Sequence, residues 1–243
     1  MPHFIPNNAI LSRLGPDSRA RMRHLFQPVS FSVDEILVVP GQAIEQVYFV
    51  EKGLASVLCE GDGRQSEVAM IGPEGMIGYP AVLGCVSTPQ KTVVQIAGRA
   101  HRIATDDLCR EAKHNGELHQ ALLFFVNDIM LQISDACFAN AQQTVEVRLA
   151  RWLLMAADRL GASDVPLTHD RISTMLGCRR AGVTMSMHLL EGERAIRATR
   201  GRIVIQDRAR LEQIAGSAYR RSVSSASENG MASTVSPAAQ VIS

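Results

Sequence analysis

The chain has 243 residues, of which 46% are hydrophobic and 20% charged, with a formal net charge of +1. This is the make-up of a soluble globular protein of one or two domains, able to bury a core, and its total charge singles out no acidic partner. The five cysteines (Cys59, Cys85, Cys109, Cys137 and Cys178) are odd in number, far apart and never in a C-x-x-C pair, which argues against a disulfide framework and a zinc finger.

The N-terminal stretch MPHFIPNNAI has no basic segment followed by an apolar run of signal-peptide length. The most apolar run, ALLFFV at 121 to 126, is too short to span a bilayer. A cytoplasmic chain with no membrane partner is the expectation. PDSRARMRHLF predicts a short amphipathic helix. From about 30 to 108 the sequence is rich in Val, Ile and Gly. Within it, VYFVEKGLASVLCEGDGRQSEVAMIG reads as strand, turn, strand, turn, strand, with Gly53 breaking the first pair and Gly61-Asp62-Gly63 forming a hairpin. KTVVQIAGRAHRIAT continues the pattern, and together these strands predict a rolled antiparallel sheet.

Residues 114 to 144 have no Pro, and no Gly after Gly116. Apolar residues recur at Leu118, Leu122, Phe125, Ile129 and Ala136, and again at Leu123, Val126, Met130, Ile133 and Cys137. Two stripes make the apolar side wider than a surface helix needs. Either the second stripe meets a partner helix, or the whole helix is buried within one chain. A further helix starts near Val145, with Leu149, Leu153 and Ala156 or Ala157 inward.

The C-terminal part is the most informative. From Glu146 to Arg221 there are fourteen Arg and no Lys against eight acidic residues, so a basic module follows an acidic body. Thr168 is placed to cap a short helix whose inner face is Ile172 with Met175 or Leu176, and Gly177 to end it. The next helix buries Val183, Met187 and Leu190. Its opposite face carries Ala181, Thr184, Met185 and His188, with Arg179 and Arg180 at its start. Helix N-termini carry partial positive charge and favour acids, so an arginine doublet there calls for a negative partner. In a helix–turn–helix the second helix enters the major groove, where Arg180 reads guanine O6 and N7, Arg179 takes a phosphate, and Ala181 and Met185 touch thymine methyls. Strand, Arg200-Gly201-Arg202 turn and strand make a wing whose arginines suit backbone phosphates. The tail from Ser217 is Ser/Ala-rich without apolar periodicity and is expected to be disordered.

LTHDRISTMLGCRRAGVTMSMHLLEGERAIRATRGRIVI closely resembles the winged helix of the Crp–Fnr family of bacterial transcription regulators, and the upstream order fits over roughly residues 20 to 216. The resemblance implies an α+β chain: an antiparallel β-roll sensor domain (1–113), a dimerisation helix (114–144), a winged helix–turn–helix (145–216) and a tail (217–243). It also implies a homodimer on double-stranded DNA, reading a pseudo-palindromic site, with RNA polymerase as a further partner. Arg180 matches the family's guanine-reading arginine. Arg179 stands where many members have Ser, Ala181 where Glu is usual, and Met185 where some members have a second base-contacting arginine. A different half-site follows.

In cyclic-nucleotide-binding members a Gly-Glu pair takes the ribose and an Arg-Ser or Arg-Thr pair the cyclic phosphate. Here Gly78 is followed by Tyr79, and Lys91-Thr92 replaces the arginine pair. Lysine lacks the arginine fork and tyrosine cannot accept two ribose hydrogen bonds, which argues against cyclic-nucleotide control. No cysteine precedes Cys59, which argues against the N-terminal iron–sulfur cluster of Fnr-type members. Haem on His3, His24, His101, His114 or His119, redox sensing at Cys85 or Cys137, a small organic ligand and no effector at all remain open. The rival class is a ligand-binding regulatory subunit whose winged helix docks on protein. No nucleophile–base, metal-ligand or phosphate-loop pattern suggests an enzyme.

Overall fold

A computed structural model describes residues 7–219. Two short helices open the chain, α1 (Ala9–Ser12) and α2 (Pro16–Met22). The Asn8 side chain accepts from the backbone amides of Ile10 and Leu11, capping α1. Its own amide donates to the carbonyls of Val50 at 2.9 Å and Gly75 at 2.8 Å, which pins this segment to the sheet behind it.

The sheet comprises β1 (Gln27–Phe31), β2 (Ile36–Val38), β3 (Gln46–Gly61), β4 (Arg64–Ile71), β5 (Met76–Ile77) and β6 (Lys91–Ala104). All pairings are antiparallel, in the order β1-β6-β3-β4, with β2 also on β6 and β5 also on β3. The hairpin between β3 and β4 falls where Gly61-Asp62-Gly63 predicts it. Asp62 and Gly63 take φ of 50° and 68°, the left-handed pair that a tight hairpin turn requires.

Gly53 does not break β3. The strand runs through it with φ 101° and with register shifts against β6 on either side. A bulge replaces the expected turn because the partner strand presses closely there. A helix that the sequence pattern leaves unassigned, α3 (Thr105–His114), follows β6; only Leu108 on it is buried.

α4 (Gly116–Gln142) closes the roll. Leu118, Leu122, Phe125, Ile129 and Ala136 are all buried, as the first stripe predicts. The first four share one core with Val47, Phe49, Ile71, Met76 and Ile103 of the sheet. The second stripe divides: Val126 is buried and Ile133 half-buried, while Leu123, Met130 and Cys137 are exposed. Exposed with them are Phe124, Leu131 and Phe138. By length and composition α4 is apolar enough to cross a bilayer, with a mean hydropathy of 1.5 over its most apolar window, 28% of which is buried.

α5 (Val145–Leu160) begins at the Thr144 cap and ends at Gly161 with φ 61°. Then come β7 (Asp164–Val165), α6 (His169–Leu176), α7 (Arg180–Gly192), β8 (Ile196–Thr199), β9 (Arg202–Ile205) and α8 (Arg208–Ala215). The short sheet has the order β7-β9-β8. A second core joins Leu149, Trp152 and Leu153 of α5 to Ile172, Val183, Met187, Leu190, Ile203 and Leu211. Each such fully buried side chain is worth roughly 1.5–3 kcal/mol. Leu54 of β3 and Met70 of β4 belong to this second core and are fully buried, so the two halves of the chain share packing. Of the expected tail, Ala218 and Tyr219 are packed instead: Ala218 is buried, and the Tyr219 hydroxyl donates to Asp158 Oδ2 at 2.5 Å. The rest of the tail, 220–243, and His3 lie outside the described residues.

Candidate nucleic-acid interface

The helix pair forms as its sequence dictates. The Thr168 hydroxyl accepts from Arg171 N at 3.4 Å, and Gly177 ends α6 with φ 59°. Arg179 is the N-cap of α7, without a side-chain cap, and no acid lies in the first turn. Val183, Met187 and Leu190 face the core. Outward lie Arg179, Arg180, Ala181, Met185 and His188, all exposed, with Thr184 half-buried beside them. Met185 is 63% exposed and Leu189, one turn further on, 48%, so two large apolar side chains stand in water beside the cationic and small ones.

Arg180 has a negative neighbour within the chain. Its guanidinium lies 3.1 Å from Asp170 of α6, with both side chains about two-thirds exposed. Such an exposed pair contributes less than about 1 kcal/mol, so it exchanges readily for a stronger anion. No ion pair among the described residues holds Arg179. Two arginines and the helix dipole thus act together at one exposed helix end.

The wing turns at Gly201, φ 73°, between Thr199 and Arg202. Arg200 is exposed at its tip. Arg202 is exposed too, but its guanidinium is engaged: Nε donates to Asp164 Oδ1 at 2.6 Å and a terminal nitrogen to Oδ2. The fork joins β9 to β7, so Arg202 braces the base of the wing. Sequence order gave no sign of this pairing across 38 positions.

α6 rests on the roll. Arg171 donates to Asp34 Oδ2 at 2.5 Å and to Gln95 Oε1 at 3.3 Å, and Ser66 Oγ lies 3.5 Å from the Met175 carbonyl. Behind it, the Trp152 indole donates to Glu67 Oε1 at 2.8 Å, and the Ser56 hydroxyl donates to the same carboxylate. Burial raises the Glu67 pKa to about 7, against the pull of these two donors and of Arg159 and Arg151.

Of the four residues of the expected sensor pocket, Tyr79 is linked to the segment that carries Lys91 and Thr92. Gly78, φ 90°, opens a short turn whose first residue is Tyr79. The Tyr79 hydroxyl donates to Gln90 Oε1 at 3.0 Å, and Gln90 adjoins Lys91 and Thr92 at the start of β6. Lys91 Nζ lies 3.9 Å from Glu60, and Thr92 is buried. Cys85 and Cys137 are exposed free thiols.

A basic, outward-facing recognition helix with a wing, joined by a long helix to an antiparallel roll, defines a DNA-binding transcription regulator. Residues 28–110 match the model of the cyclic nucleotide-binding domain, and residues 147–214 that of the Crp-like helix-turn-helix domain. The chain belongs to the Crp–Fnr family of transcription regulators. Among solved structures it is similar to FixK2 from Bradyrhizobium japonicum, at 20% identity and TM-score 0.69, over 79% of this chain and 98% of that one. A CRP-family transcriptional regulator from Thermus thermophilus matches at 21% and 0.66, over 79% and 98%. The regulator CLP of Xanthomonas campestris matches at 14% and 0.64, over 79% and 99%. These likenesses bear on the fold. No curated protein matches the chain.

Proposed function

We propose that this regulator acts as a soluble cytoplasmic homodimer, paired through α4, which sets two copies of α7 into successive major grooves of a pseudo-palindromic site. The observation that carries the reading is the exposed, acid-free start of α7 with Arg179 and Arg180 side by side. Arg180 reads a guanine, leaving Asp170 as it does so. Thr184, Ala181, Met185 and His188 meet neighbouring base edges and methyl groups. Arg179 and Arg200 take phosphates, and Arg202 contributes charge while bracing the wing through Asp164.

The exposed apolar residues of α4 support the dimer. Leu123, Met130 and Cys137 recur every seven positions, and Phe124, Leu131 and Phe138 do the same in the adjacent column. A seven-residue apolar period is the pattern of two helices packing along their length. A second copy of the helix covers these columns where lipid or water would otherwise meet them, and RNA polymerase is then recruited by the DNA-bound dimer.

Cyclic nucleotide is not the effector in this reading. Tyr79 is tied to Gln90 and Lys91 faces Glu60, so neither a ribose-binding carboxylate nor a free guanidinium fork is offered where family members use them.

The test is selection of bound sequences from a random duplex pool by purified protein. A two-fold-symmetric motif with half-sites about one helical turn apart is expected. An asymmetric motif would sink the dimer. Absence of any salt-dependent DNA binding would favour a winged helix that docks on protein.

A further inference from the structure

A cleft of about 730 Å³ opens on the roll away from both α7 and the Tyr79–Lys91 region, bordered by α1, α4, the end of α5 and the facing segments of β3 and β6. That volume is typical of small-molecule sites. Its apolar floor is Ile10, Phe125, Ile129 and Met155, all buried, with Ile96 half-buried.

The charges around it are balanced, with one exception. Arg159 donates to Glu74 at 2.7 Å, and Asp158 receives Arg208 at 2.7 Å. Glu51 accepts the backbone amides of Asn7 at 2.8 Å and Asn8 at 3.2 Å. Asp135 lies in the field of Arg151, and Asp128 in that of Arg13. Lys52 and Arg99 differ. They stand directly opposite each other in the β3–β6 register, both exposed and both lining the cleft. No acid among the described residues pairs with either.

Like charges opposite each other on an antiparallel pair destabilise it. The strands are also drawn tightly together at this point. A Cβ added to Gly98 would sit 1.8 Å from the Lys52 carbonyl oxygen, and one on Gly53 2.7 Å from that of Ile96. Two cations are therefore held side by side at the edge of an apolar cleft, an arrangement that an anion relieves.

We propose that this cleft is the effector site, and that it takes a small organic acid with an apolar body. Lys52 and Arg99 hold the acid group, while Ile96, Ile129 and Met155 receive the body. The inference rests on the reading of the chain as a DNA-binding regulator only in its consequence. An occupant touches the roll, α4 and α5 together, so it favours one placement of the winged helix over others, and that differential affinity is what couples it to DNA.

The experiment is calorimetric titration of the full chain with octanoate, using 1-octanol as the uncharged control. Saturable octanoate binding is expected, at least about tenfold tighter than octanol, as one charge-assisted contact supplies. The double variant K52Q/R99Q should lose at least that factor, while the surface control Lys113→Gln binds as the parent does. Lys52→Glu should raise the thermal midpoint, by placing opposite charges across the strands, and still lose octanoate. No saturable binding, equal binding of octanol, undiminished binding by K52Q/R99Q or Lys52→Glu, or a loss that follows Lys91→Gln instead would each overturn the site. DNA binding is measured in parallel on the same samples. Octanoate binding without any DNA binding would retain the site and refute the regulator reading.

Discussion

Arg180 and Arg200 are both exposed arginines of the same domain, yet their surroundings assign them different work. Arg180 begins the helix proposed to enter a groove, whereas Arg200 sits at the tip of a two-strand turn. Arg180→Ala should cost about 1–3 kcal/mol on the selected site and relax preference at one base pair, with little change in melting temperature because its partner Asp170 is also exposed. Arg200→Ala should weaken selected and random duplexes alike, with the salt slope falling by about one phosphate contact; fluorescence anisotropy at several salt concentrations separates the two. Glu67 gives a prediction of another kind. Its carboxyl titrates near 4.5 in an unfolded chain and near 7 when packed against Trp152. The folded state therefore holds the extra proton between those values, and stability must fall as pH rises from about 4.5 to 7, then level off. Glu67→Gln should remove that fall, on the order of 3 kcal/mol, and melt higher than the parent at pH 8. Thermal scans of both proteins from pH 4.5 to 8 would show it, and parallel curves would refute the buried-carboxyl account.

At the scale of elements, what could be read in advance was what local periodicity carries. The α6–α7 pair was legible because each helix shows its own buried stripe and Gly177 marks the turn between them. The buried face of α4 was legible for the same reason. α3 was not, since TDDLCREAKH buries a single leucine and offers no stripe. Nor was the passage of β3 through Gly53, because the strand that presses on it, around Gly98, is remote in the sequence. The same separation hides Lys52 opposite Arg99, and sequence distance likewise hides Asp164 beneath Arg202. Exposed residues on α4 yield their own test. Met130 is 62% exposed in one chain, so Met130→Glu leaves the monomer fold intact. Buried in a dimer seam, the same carboxylate should weaken association by more than about tenfold. Sedimentation should show monomers at concentrations where the parent is dimeric; an unshifted dimer would move the interface elsewhere.

Across the whole molecule, the winged helix is not a bead on a string. Leu54 and Met70 extend from the roll into its core, and Arg171 reaches back to Asp34. In the proposed dimer, two recognition helices that meet two half-sites at once gain from being held in place beforehand. Asp34→Ala, far from any predicted base contact, should therefore reduce DNA affinity several-fold while leaving the selected sequence unchanged. A changed motif would instead mean that the docked arrangement helps choose the bases. The joint itself has a further property. The chain contains one tryptophan, and it lies at this joint, 2% exposed, with its indole hydrogen-bonded across to the sheet. All tryptophan emission from the protein thus comes from a single chromophore wedged between the roll and the winged helix, and the molecule carries its own optical gauge of any movement between them.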